Sequence, residues 1–137
     1  MGKRKIVLDT NILISALGWE GNLSKILDKV VDGELEFFIS YDQFNEFLRV
    51  INYPRLKFSE EQKARFEALI SNLATFVKTQ DILDVIKDDP SDNMILECAL
   101  VANADYIVSG DLKHVLPIKK LGRIKIVTAK EFLKLLK

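Results

Sequence analysis

The chain is poor in the residues that build soft-metal and disulfide sites: it has one cysteine, Cys98, and one histidine, His114. An intrachain disulfide, a multi-cysteine zinc site and a histidine-rich metal site are therefore excluded. It also lacks net charge, with 20 Lys+Arg against 20 Asp+Glu. Any attraction for a charged partner must come from how those charges are distributed. No apolar run approaches the roughly 18 residues of a membrane-spanning helix. The basic start, Met1-Gly2-Lys3-Arg4-Lys5, is followed by only a strand's length of apolar residues, unlike a secretion signal. A cytoplasmic protein without a membrane partner is expected. There is no repeat, low-complexity tract or linker, so one domain is expected over residues 1–137.

What is present is an ordinary globular mixture, 48% apolar and 29% charged, in a chain long enough to bury about two-thirds of its unfolded surface. The charges are segregated. Residues 81–111 carry eight acids against Lys87, whereas residues 113–137 carry seven lysines and Arg123 against Glu131. An acidic centre beside a basic tail suits a metal site that meets a polyanion, although two solvated faces would look the same.

The chain is organised around Ile6-Val7-Leu8-Asp9-Thr10-Asn11-Ile12-Leu13-Ile14. Ile6 to Leu8 reads as a strand buried on both faces. Apolar residues resume at helical spacing from Ile12, so a buried strand delivers Asp9 to its C-terminal end, where a helix begins. In open α/β sheets ligands bind at that edge; Asp9 could equally be only a helix cap. Further on, Leu23 to Val31 has helical spacing, stopped by Gly33. Glu36 to Ile39 is a strand candidate. Ser40-Tyr41-Asp42-Gln43 reads as a capping box opening a helix from about Tyr41 to Ile51, with Glu46 in its second turn. Ser59-Glu60-Glu61-Gln62 opens a long helix to about Leu73, and Thr75 to Val77 is a short strand candidate. Asp88-Asp89-Pro90-Ser91-Asp92-Asn93 is a turn feeding a helix. Tyr106 to Val108 is a strand ending in Ser109-Gly110-Asp111, and Ile124 to Val127 is a strand followed by a helix capped at Thr128. Alternating strands and helices predict an α/β fold, with a mostly parallel sheet of about four to five strands covered on both faces.

In such a sheet all strands end on one edge, so Asp9, Glu46, Asp92 and Asp111 can converge. Two like charges about 4 Å apart repel by about 4 kcal/mol at an effective dielectric of 20. The cluster therefore needs cations or protons. Hard divalent ions, Mg²⁺ or Mn²⁺, fit an all-carboxylate pocket and would activate water for phosphodiester hydrolysis. Thr10, Asn11, Asn93 and Ser109 could orient ligands or water. Lys113, Lys119, Lys120 and Arg123 could hold substrate phosphates.

The ordered set VLDTNILISA, EFLRVI beginning at Glu46, DPSDNMILECALVANADYIVSGD and IKIVTAKEFL resembles the PIN domain family over about Ile6 to Leu135. The branch it resembles is the toxin component of toxin–antitoxin pairs. The resemblance implies a Rossmann-like sheet and a Mg²⁺- or Mn²⁺-dependent endoribonuclease leaving 5′-phosphate and 3′-hydroxyl ends. It places the acidic quartet on Asp9, Glu46, Asp92 and Asp111, and implies a homodimer and an inhibitory antitoxin protein. Many relatives carry a fifth acid where this chain has Lys113, and an aliphatic residue where it has Phe47.

Other residues read more plainly. Asp89 shapes the turn before Pro90, and Cys98 lies on an apolar helix face. His114 suits surface or partner contact. Trp19 suits either packing or stacking on a base. Two rival functions remain open at this level. One is a catalytically silent RNA- or protein-binding module on the same fold. The other is a phosphatase or phosphoacceptor with Asp9 as nucleophile, which the haloacid-dehalogenase pattern disfavours, because its second acid two positions on is here Asn11.

Overall fold

The computed structural model describes residues 3–18, 22–79, 90–110 and 115–136, with backbone alone at 18, 22, 23 and 90–92. The strands are β1 (Arg4–Leu8), β2 (Leu35–Ser40), β3 (Ala74–Val77), β4 (Tyr106–Val108), β5 (Lys120–Leu121) and β6 (Ile124–Val127). The helices are α1 (Thr10–Gly18), α2 (Asn22–Val31), α3 (Tyr41–Val50), α4 (Glu60–Leu73), α5 (Pro90–Ala102) and α6 (Ala129–Leu135).

The strands join one sheet in the order β3-β2-β1-β4-β6-β5. The five longer strands run parallel, and β5 pairs antiparallel with β6. This is the expected mostly parallel sheet with one strand added. Lys120-Leu121 is too short to show any periodicity. It pairs because Gly122, at φ +62°, closes a two-residue hairpin turn.

Continuous apolar runs follow from two cores. Ile6 and Leu8 of β1 face one core and Val7 the other; Phe37 and Ile39 of β2 face the first and Phe38 the second. The first core is covered by α1, α2, α3, α4 and α6, and the second by α5 through Ile95, Leu96, Cys98, Ala99 and Ala102. Phe37, Phe47 and Phe132 are fully buried. Each such side chain contributes about 1.5–3 kcal/mol relative to exposure. None of the described helices is long and apolar enough to cross a membrane.

The capping boxes of α4 and α6 form in both directions, between Ser59 and Gln62 and between Thr128 and Glu131. That of α3 forms in one direction only. Ser40 Oγ accepts from Gln43 N at 3.0 Å, but the Gln43 side chain turns inward and donates to Leu8 O. A buried strand-end carbonyl and a cap amide compete for one side chain, and the carbonyl, with no water to turn to, wins.

Burial pushes the Cys98 thiol up to about 12, slightly offset by a hydrogen bond from the Ser40 backbone. Thiol reactivity requires the thiolate. The native protein is therefore expected to resist an aromatic disulfide reagent at pH 8. After unfolding in guanidinium it should release one equivalent per chain. Rapid reaction of the native protein would place Cys98 at the surface.

Candidate active site

The order of the sheet reverses at β1, with β2 and β3 on one side and β4 and β6 on the other. Where the order reverses, the crossovers leave in opposite directions, and a crevice opens beyond the strand ends. Asp9 N donates to Val108 O at 3.0 Å, and Ser109 N donates to Val127 O at 3.0 Å. The residues following β1 and β4 are thus held side by side at this crevice.

Asp9 is only 6% exposed. Its Oδ1 accepts from Asn11 N at 3.2 Å, which caps α1, and its Oδ2 accepts from Ser109 Oγ at 2.8 Å. Capping and participation in a polar junction are therefore not alternatives: one carboxylate oxygen serves each. The N-terminus of α1 also favours the negative charge at this position.

Glu46 is 8% exposed. It lies in the second turn of α3, and its Oε1 accepts from Thr10 Oγ1 at 2.6 Å, a short distance typical of a charge-assisted bond. Because Thr10 follows Asp9 directly, both carboxylates are anchored at the end of β1, each with an oxygen held by a hydroxyl. Gln43, one turn before Glu46, anchors the same helix to β1 through Leu8 O, while its own Oε1 is buried without a hydrogen-bond partner.

Asp92 belongs to the first turn of α5, but its side chain lies outside the described residues, as do Asp111, Lys113, His114, Asp89 and Trp19. Asn93 is buried. Among the described residues, no three His, Cys, Asp or Glu side chains converge as a metal cage. Lys119 and Lys120 lie at β5, on the rim of the sheet. Arg123 stands at the opposite edge from Asp9, because β6 runs parallel to β1 and Arg123 precedes its start. Its Nη1 donates to Asp105 Oδ1 at 3.2 Å and its Nη2 to Asn103 O at 3.1 Å.

Two buried polar residues carry only a weak signal in the sequence. Gln43 has the position of a cap residue. Glu97, 4% exposed, was the lone charge inside the apolar stretch Met94 to Val101, and that isolation was its signal.

A family model described as the PIN domain matches residues 5–113, from β1 past the end of β4. The chain belongs to the PIN domain family. No curated protein matches it. PIN domains are typically nucleases and generally use divalent metal ions. The donors in this PIN domain fit a hard cation: Asp9 and Glu46 offer only oxygen, and hydroxyl donors already orient both carboxylates.

The Thr10–Glu46 bond should carry measurable energy, because Glu46 is buried. In a double-mutant cycle, Thr10→Val and Glu46→Gln should each alter the free energy of urea unfolding. Their coupling is expected to be about 1–2 kcal/mol. Strict additivity would show that the bond contributes nothing.

Proposed function

We propose that this PIN domain is a metal-dependent endoribonuclease that hydrolyses RNA phosphodiesters. The observation that supports this reading is the pair of hydrogen bonds, Ser109 to Asp9 and Thr10 to Glu46, that fix two buried carboxylates at the reversal point of a parallel sheet. Two carboxylates buried at one end of a parallel sheet are costly to desolvate, and a cation bound there would offset that cost.

Asp9 and Glu46, with Asp92 and Asp111, would hold Mg²⁺ or Mn²⁺. When bound, the ion supplies Lewis-acid activation of water and neutralises charge on the reacting phosphate. The chain's own residues do the positioning. Ser109 and Thr10 each fix one oxygen of a carboxylate. The Asn11 amide sets the rotamer of Asp9, and Gln43 holds the Glu46 helix against the end of β1. In its fuller form, the reading makes the enzyme the toxin of a toxin–antitoxin pair, a cytoplasmic homodimer restrained by an antitoxin protein. The likeness of the motif set to that branch supports this part.

Two measurements test the site. Asp9→Asn, Glu46→Gln, Asp92→Asn and Asp111→Asn should each lower Mn²⁺-dependent cleavage of a mixed RNA pool by about a hundredfold or more, with unchanged circular dichroism. Wild-type cleavage by Asp9→Asn would end the metal-site assignment.

Melting curves provide the second. With chelator, Asp9→Asn should melt close to wild type, because Asn caps a helix about as well and relieves like-charge repulsion. With saturating Mn²⁺, wild type should rise well above it, since an ion held only by the native state adds about 2.7 kcal/mol at a hundredfold excess over Kd. Equal rises in the two proteins would show that Asp9 does not touch the ion.

A further inference from the structure

A cleft of about 470 Å³ runs between α2 and α6. Lys25 and Lys29 on α2 and Lys130 and Lys134 on α6 line it, against Asp28 and Asp32. Each lysine pair is spaced by four residues, one helical turn and about 6 Å along the axis, so both point along the same groove. Lys29 has an ion-pair partner, Glu34, at 3.6 Å. Lys25, Lys130 and Lys134 are in no salt bridge among the described residues.

This cleft does not stand alone. A second, of about 260 Å³, shares Lys29 and Leu136 with it and adds Lys3, Arg4 and Glu34. A third, of about 290 Å³, shares Lys3 and Arg4 with the second and adds Arg123, Lys125 and Asp105. The three form one band lined by eight basic and four acidic side chains, on a chain whose net charge is zero.

The course of the band follows from the topology. β6 ends on the edge that carries Asp9 and Ser109, and α6 starts there, so Lys130 lies toward the carboxylate edge. α6 then descends to the strand starts, where Arg4 Nη1 donates to Leu135 O at 3.1 Å. The band thus leads from the acidic edge, along the α2–α6 face, to the opposite edge of the sheet.

We propose that this band is a track for the phosphate backbone of the RNA substrate, carrying the strand away from the carboxylates; the proposal rests on the nuclease reading above. An anionic strand is repelled by an acidic site without its cations and needs positive charge beyond it to stay bound. Lysines suit this task, since they act as flexible point charges that grip phosphates without reading bases. Asp28 and Asp32 offset two of the four lysine charges that line the first cleft.

The test is binding rather than cleavage, with chelator present, so it stands or falls separately from the metal-site assignment. Fluorescence anisotropy of a labelled single-stranded RNA of about 20 nucleotides is measured from low to moderate salt. Three variants are compared with wild type. One replaces Lys25, Lys29, Lys130 and Lys134 by Ala. Another replaces the same four by Arg. A control of equal charge loss replaces the exposed Arg55, Lys57, Arg65 and Lys78 by Ala.

The first variant is expected to bind at least about tenfold more weakly. Its slope of log affinity against log salt should be shallower by up to about 3, the loss of four single-strand phosphate contacts. The arginine variant should stay within about twofold of wild type. Affinity and slope of the first variant equal to those of the control would overturn the track. So would displacement of the RNA by polyglutamate as effective as that by unlabelled RNA of equal charge, which would assign the band to acidic protein segments instead.

Discussion

The hydrogen bond from Ser109 to Asp9 closes the gap between the ends of β1 and β4, and the rest of the polar junction depends on the register that allows it. β1 and β4 pair in parallel, Ile6 with Tyr106 through Leu8 with Val108. The two residues that follow, Asp9 and Ser109, are therefore at the same height. A one-residue slip would reverse the faces of Ile107 and Val108 and bury the wrong side chains in both cores. The register is thus enforced by the hydrophobic packing, and the polar junction inherits its precision from apolar contacts on either side of the sheet.

Much of this was legible in the sequence. Ile6 to Leu8 and Tyr106 to Val108 announce themselves, because a strand packed on both faces tolerates only apolar residues. The caps at Ser59 and Thr128 were legible because they are local: donor and acceptor lie three residues apart. Asp9 and Glu46 could be expected at one edge because parallel strands all end there. What could not be read were the choices made by distant partners. Gln43 has the position of a capping-box residue but is captured by Leu8 O, 35 residues away. Arg123 is near Asp111 in sequence, yet the parallel run of β6 carries it to the far edge, where Asp105 holds it. β5 exists only as the partner of β6.

Asp105 shows how a charge can be committed to architecture within an acidic stretch. Its Oδ2 accepts from Lys5 N at 2.8 Å and its Oδ1 from Arg123, while its backbone bonds both Lys5 O and Lys125 N. One residue thereby ties the starts of β1, β4 and β6 together, and Ser109 and Asp9 close the same strands at their other ends. The sheet centre is fastened at both edges by carboxylates with opposite assignments: Asp105 is paired with an arginine, and Asp9 is held by the Ser109 hydroxyl and the Asn11 backbone amide.

The short β5 strand has a consequence for how the chain meets copies of itself. A parallel sheet ends in a row of unpaired amides and carbonyls that can recruit another strand. Beyond β6 the outermost strand is two residues long, with Lys119 and Lys120 at one end and the Gly122 turn at the other. Such a rim offers almost no length to pair with, and adjacent like charges would oppose each other across any copy docked there. On this flank the fold carries its own guard against runaway sheet extension.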